Sequence, residues 1–475
     1  MRARATFAAL SFAGALAFCA SPAFAQDGLM TVHCGQTLTH SVELANDLTN
    51  CPGNGLIIGA DGITVDLNHH TIDGAVTQPS CGSDLSAVGI DNGGFDGVTI
   101  ENGTVRQFDA GIRGTDVNDG RVHHLTVRDN LSGGIDFEAI FQSGHPPTGN
   151  RVDHNDVSGD RCGSAINLFI NGEGNRFDHN RVHDTASGIT VCCGLASASN
   201  PNVIEHNSLA NIANVGIQVF SAGVAHVEHN DVAGVGSPGA GCADPSNCVG
   251  IGIGGESSGS VVNDNAVART QNAGIDLETC FECGATHPLT DVQVSNNTLS
   301  STGAGIWLSD TDRGVVTRNS VDGAGTFGLP SAIGVGVLLN GASNTRVSRN
   351  TITDGGAGVF GIAPGILIAV PLELPHSQRP VVGNVVERNS VSGQQADGIV
   401  VAPVAQDTTL ERNTTNGNAH DGINVLSPLT TITRNTANDN GNYGIEAVPN
   451  VTDGGNNEAN GNGGPAQCTT QVACS

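Results

Sequence analysis

The sequence predicts an all-β protein: a single-stranded, right-handed parallel β-helix (a β-solenoid) of about a dozen or more coils with capped ends. Three observations carry this prediction. A strand-like unit ending in asparagine recurs, as in Val152-Asp153-His154-Asn155, Phe177-Asp178-His179-Asn180, Val262-Asn263-Asp264-Asn265, Val347-Ser348-Arg349-Asn350 and Ile432-Thr433-Arg434-Asn435. Roughly ten to twelve residues after each asparagine comes a second unit, Gly-Ile-x-apolar, as in Gly134-Ile135-Asp136-Phe137, Gly216-Ile217-Gln218-Val219 and Gly422-Ile423-Asn424-Val425. The composition, 66 Gly with one Trp and one Tyr in 475 residues, suits a chain that turns often and cannot bury its core as packed helices.

Two short alternating strands in a repeat of roughly 22 to 30 residues are what a solenoid coil needs. Apolar residues at alternate positions stack inward, and asparagines recurring in phase can bond coil to coil through their side-chain amides. A helical reading fails because the apolar period is 2, and because Gly, Asn and β-branched residues are poor helix formers. Leucine-rich repeats and propellers fail as well, for want of a leucine ladder or a repeated Trp-Asp mark.

The ends follow from local pattern. Arg2 and Arg4 precede an apolar run from Ala5 to Ala20, and Ala23-Phe24-Ala25 completes the form of a secretory signal peptide over 1–25. Residues 26–54, with Cys34 and Cys51, are expected to cap the β-helix of 55–452, and 453–475, with Cys468 and Cys474, to form a second cap or a tail. No later stretch is apolar for long enough to span a bilayer. The expected location is secreted or periplasmic.

Twelve cysteines remain after Cys19 leaves with the signal, and an even count in an exported chain suggests disulfides. Local pairs are expected for Cys34 with Cys51, Cys242 with Cys248 and Cys468 with Cys474. Cys280-Phe281-Glu282-Cys283 has the spacing of a redox or zinc half-site, but its second half is missing, so a local disulfide is preferred. Cys192-Cys193 carries no clear signal.

Charge narrows the partners. All 19 basic residues are arginine, against 46 acidic ones, for a net charge of −27. Nucleic acid and anionic membrane surfaces are therefore poor partners, since both need a basic footprint, and no nucleic acid and no membrane span are expected. A polyanion such as pectate or alginate is also repelled unless bound cations or a local arginine patch intervene.

The run Gly55-Leu56-Ile57-Ile58-Gly59-Ala60-Asp61-Gly62-Ile63-Thr64-Val65-Asp66-Leu67-Asn68, followed by Thr71-Ile72-Asp73-Gly74, resembles the opening coils of the pectate-lyase-like β-helix superfamily, and the later units resemble its PbH1-type repeats. The resemblance spans about residues 55 to 452 and is specific for fold. It implies no single reaction, because that superfamily includes lyases, hydrolases, epimerases, phage spikes and non-enzymatic surface proteins.

If the Ile of each Gly-Ile-x-apolar unit points inward, x and the residue two later point outward. The first outward column then reads Asp91, Arg113, Asp136, Asn167, Thr190, Gln218, Gly252, Asp276, Trp307, Gly336, Leu367, Val400, Asn424 and Glu446. Its neighbour runs Glu138, Phe169, Cys192, Phe220, Gly254, Glu278, Ser309, Leu338, Ala369, Ala402 and Leu426. The apolar stretch from Gly336 to Leu426 is expected to lie under loops. Phe169, Phe220 and Trp307 among amides and carboxylates form a candidate sugar-binding strip, since aromatic planes take the apolar faces of sugars.

One motif occurs twice on this face. Asp136-Phe137-Glu138 is followed by His145, and Asp276-Leu277-Glu278 by His287. Each copy sets two carboxylates about 6 to 7 Å apart at Cα, within reach of the roughly 5 to 9.5 Å that glycoside hydrolysis requires between its acid and its base or nucleophile. The copies lie five coils apart, about 24 Å at ~4.8 Å per coil, so they cannot form one dyad. The first is preferred because Arg113 and Asp91 make a mixed-charge neighbourhood able to split carboxylate pKa values.

The expected function is that of a carbohydrate-active protein on a polysaccharide, with hydrolysis of a neutral or weakly charged glycan favoured. Asp136, Glu138, Asp276 and Glu278 are the candidate catalytic groups, with Asp91, Arg113, Asn167, Phe169, Gln218, Phe220, Trp307, His145 and His287 the candidate binding groups. A lyase or uronate epimerase is an alternative, since Asp/Glu/His clusters can equally hold Ca²⁺; a non-catalytic glycan-binding surface or envelope protein is another. No metal is assigned. His154, His179, His206 and His229 give way at the same position to Arg318, Arg349, Arg388, Arg412 and Arg434, which reads as a stacked, solvated turn rather than a metal ladder.

Overall fold

The computed structural model describes residues 28–475 except 77–80, 82–85, 141–143, 171, 195, 237–247, 280–286, 328–333, 357–362 and 370–379. Sixteen strands, from Gln36–Leu38 to Ile445–Ala447, stack in one parallel sheet, one per coil. A second sheet carries the other strands of each coil in two ladders. Arg151–Asp153 and Asp156–Ser158 of one coil, for example, pair with Arg176–Asp178 and Arg181–Thr185 of the next. Residues 36–51 already pair with the following coil, and Cys468 and Cys474 still bridge to Ile445 and Asn457, so both ends continue the ladders.

The Gly-Ile unit has a direct physical cause. Ile112, Ile135, Ile166, Ile189, Ile217, Ile251, Ile275 and Ile306 lie in one register column and are buried. Burial of each side chain contributes about 1.5–3 kcal/mol. The glycine that precedes seven of these eight isoleucines (Ala165 stands before Ile166) is set by crowding between coils: a Cβ at Gly188 would fall 2.1 Å from the Gly216 carbonyl oxygen.

The repeated asparagine also bonds as its phase predicts. Asn155 Nδ2 donates to Asn180 Oδ1 (3.0 Å) and to the Val122 carbonyl (3.0 Å), while its backbone N–H donates to the same Asn180 Oδ1 (3.1 Å). The pattern repeats without a break to Asn457. The residue before each asparagine is left-handed, with φ of 57° at His154 and 57° at Arg318. The rings of His124, His154, His179, His206 and His229 stack there, with centroids 4.9–5.1 Å apart. Among the described residues no cluster suited to a metal ion occurs.

One column inward, Asp153 is buried. Burial pushes its carboxyl up, but hydrogen bonds from Arg121 (2.8 and 2.7 Å) and His154, with the arginine charges, outweigh it and hold it well below the usual carboxylate range.

Disulfides join Cys34 to Cys51 and Cys468 to Cys474, as the spacing suggests. Cys81 pairs with Cys162, 81 residues away, and Cys192 with its neighbour Cys193; neither has a sequence signal. Cys248 is disulfide-bonded, whereas Cys242, the Cys280–Cys283 segment and the signal segment lie outside the described residues. No described helix is long and apolar enough to cross a membrane.

Candidate active site

Pairing registers bring the first outward column together from the N-terminal side: Asp91 lies beside Arg113, then follow Asp136, Asn167, Thr190, Gln218, Gly252, Asp276 and Trp307. The neighbouring column runs Glu138, Phe169, Cys192, Phe220, Gly254, Glu278 and Ser309. At the next coil the expected order fails. Leu338, not Gly336, stacks on Trp307, and Asn340, not Leu338, stacks on Ser309. The cause is a doubled motif, Gly334-Val335-Gly336-Val337: the second glycine makes the close approach, because Ile306 N–H bonds to the Gly336 carbonyl. Leu338, Ala369 and Val400 are buried, whereas Leu426 is 40% exposed, so the apolar stretch is covered only in part.

Around the first Asp-x-Glu the two columns form a four-residue patch. Asp136 and Glu138 are half-buried on strand Gly133–Glu138, with Asn167 and Phe169 above them in register. Phe169 is 42% exposed. Thr115 Oγ1 donates to Glu138 Oε1 at 3.5 Å. The Asp136 carboxylate folds back over Gly133, where a Cβ would lie 2.4 Å from Oδ2 and would push it aside.

Arg113 sits beside Asp136 but is shared: its Nε lies 3.6 Å from Asp91 Oδ1, and Asn54 Nδ2 donates to Asp91 Oδ2 at 3.0 Å. Burial first, then the Glu138 charge, push the Asp136 carboxyl up to about 8, against the opposing pull of Arg113. Asp136 therefore holds its proton at neutral pH.

The second copy has a different setting. Below Asp276 and Glu278 are Gly252 and Gly254; above them are Trp307 and Ser309. Burial and the Glu278 charge push Asp276 up to about 8 as well. Trp307 is half-buried and its Nε1 is enclosed without a hydrogen-bond partner among the described residues, so its ring is less open than that of Phe169. Gln218 and Phe220 lie midway between the copies, half-buried. His145 and His287 are exposed, each beyond a segment (141–143, 280–286) outside the described residues.

Sequence reading missed Asp160. It lies in the turn beside the first copy, 1% exposed, with neither carboxyl oxygen in a hydrogen bond of good geometry among the described residues. A Cβ on Gly134 would touch its Oδ2 at 3.0 Å. Burial, then the Asp136 charge, raise its carboxyl well above the usual range. Asn130 holds the equivalent place one coil earlier; aligning the turns after each ladder asparagine would have exposed the Asp.

A model of the right-handed β-helix region matches residues 202–352 and 374–473, more than half of the chain. No curated protein matches significantly. Among solved structures, a mutant periplasmic alginate epimerase shares 11% identity, with 78% of this chain and 76% of that chain covered and a TM-score of 0.42. The Dettilon tailspike protein shares 15% identity, over 83% and 62%, with a TM-score of 0.41. DFA-IIIase from Arthrobacter chlorophenolicus A6, in complex with GF2, shares 13%, over 66% and 70%, at 0.37. At such identities the likeness is one of fold alone. With three strands per coil, an unbroken asparagine ladder and a matching model over more than half its length, the chain belongs to the right-handed β-helix family.

Proposed function

We propose that this protein is a secreted or periplasmic glycoside hydrolase that binds a neutral or weakly charged polysaccharide along the face of the sixteen-strand sheet. Asp136 is the general acid, and Glu138 the base or nucleophile. The observation that carries the proposal is Asp136 itself: a carboxyl pushed up to about 8, two residues from a second carboxylate and one coil below an exposed aromatic ring. A carboxyl that keeps its proton, two residues from a second carboxyl group, is what an acid role at a glycosidic bond needs. Asn167 supplies amide contacts to hydroxyls and Phe169 the apolar contact. The disulfides fit an oxidising compartment.

The test is a polysaccharide panel followed for reducing ends and for the ultraviolet absorbance of unsaturated ends. New reducing ends without absorbance are expected, and Asp136→Asn is expected to lower the rate by about 10²–10⁴-fold. Full activity in Asp136→Asn overturns the assignment of Asp136, and full activity in Asp276→Asn as well removes the second copy from the reaction too. Unsaturated ends mean elimination in place of hydrolysis, and binding with no product means a glycan-binding protein.

A further inference from the structure

In the turn between the two ladders of the second sheet, the left-handed position before each ladder asparagine becomes arginine in five consecutive coils: Arg318, Arg349, Arg388, Arg412 and Arg434. They are aligned coil to coil, since the backbone N–H of each of the first four bonds to the residue before the next arginine, such as Arg318 to the Ser348 carbonyl (3.1 Å) and Arg349 to the Glu387 carbonyl (3.1 Å). Their spacing is that of the coils, about 4.8 Å.

Arg412 and Arg434 share Glu411, at 2.6 and 3.2 Å. Glu387, the residue before Arg388, is taken by Arg346. The guanidinium groups of Arg318, Arg349 and Arg388 are exposed and have no ion-pair or hydrogen-bond partner among the described residues. Ser320, Thr351 and Ser390 form an exposed hydroxyl column alongside them.

Three features make this column unlike ordinary surface. The chain carries a net charge of −27, yet stacks like charges one coil apart. A left-handed backbone favours Asn, Asp or Gly, and the same turn holds Asn296 and Asn456 elsewhere. Bidentate guanidinium groups suit carboxylates.

We propose that this arginine column binds a linear polyuronate, an acidic polysaccharide with one carboxylate per sugar, laid parallel to the solenoid axis. Carboxylates on the facing side of the polysaccharide meet the guanidinium groups of Arg318, Arg349 and Arg388, and sugar hydroxyls meet Ser320, Thr351 and Ser390. A single-stranded nucleic acid fits poorly, because no aromatic ring in the column offers a base a stacking surface. The site is separate from the sheet face and does not depend on the proposed hydrolysis.

The test is affinity electrophoresis of the full chain through gels containing polygalacturonate or, as the neutral control, dextran. Retardation by polygalacturonate alone is expected, weakening as salt rises. The triple variant Arg318→Asn, Arg349→Asn, Arg388→Asn is expected to lose affinity about tenfold or more. Because asparagine suits the left-handed turn, its melting temperature should match or exceed that of the parent. Arg313→Gln, which removes an arginine paired to Asp291 on another turn, should bind like the parent. No retardation of the parent at low salt, equal binding by the triple variant, or binding to anionic phosphatidylserine vesicles in preference to polygalacturonate overturns the proposal.

Discussion

Replacing Asn265 with alanine is expected to destabilise the protein by at least about 3 kcal/mol, enough to shift its urea midpoint clearly. Asn265 Nδ2 donates to the Val227 carbonyl (2.8 Å) and to Asn297 Oδ1 (3.0 Å), and its Oδ1 accepts from the Asn230 backbone N–H (2.9 Å) and Nδ2 (3.0 Å). All of these groups are buried, and each one left unpaired costs about 1–3 kcal/mol. At the end of the ladder, Asn457 Nδ2 reaches only the Ile432 carbonyl at 3.3 Å and Asp453 at 3.1 Å, and no further asparagine bonds to it from beyond. Asn457→Ala should therefore cost less. Equal losses at the two positions, or a loss below about 1 kcal/mol at Asn265, would mean that the ladder follows from strand stacking and does not hold it.

The same ladder explains why the fold was legible. A solenoid repeats its local requirements in every coil, so an inward isoleucine, a crowded glycine and a bonded asparagine each appear many times in the sequence. The outward columns were legible for the same reason wherever one coil has one Gly-apolar unit. They failed at Gly334-Val335-Gly336-Val337, where two candidate glycines lie two residues apart and both satisfy the pattern; only the pairing with Ile306 decides between them. Cys81–Cys162 was hidden because its partners are brought together by stacking across coils of unequal length. Asp160 was hidden because its importance is environmental: an acidic residue in a polar turn looks solvated until burial is known.

Asp160 and the two sheet-face aspartates give the protein an unusual pH profile. An unfolded aspartate titrates near ~4. In the native state Asp136 and Asp276 are pushed up to about 8, Asp421 to about 7 and Asp160 well above its ordinary value, burial being the leading cause in each. Between about pH 4 and 7 the folded chain keeps protons that the unfolded chain has released. Stability must then fall as pH rises, each group contributing a slope of up to about 1.4 kcal/mol per pH unit. The acid side is governed by the opposite class. Asp153 and Asp178 are held low by arginine and histidine hydrogen bonds that outweigh burial, so their stabilisation is present above about pH 4 and is lost below it. His123, pushed down to about 4 by burial and then by Arg121, must stay neutral when folded, and so costs stability as pH falls from about 6.5 to 4. One ring opposes four carboxyls, so the melting temperature is expected to peak near about pH 4 to 5 and to decline towards pH 8. Asp160→Asn isolates one contribution without touching the sheet face, because asparagine already occupies the equivalent turn as Asn130 and carries no ionisable proton. It should raise the melting temperature at pH 7 more than at pH 4 and flatten the decline. A parent protein whose melting temperature climbs from pH 5 to 8, or an Asp160→Asn variant destabilised as much at pH 7 as at pH 4, would show that Asp160 is ionised and partnered in the native state.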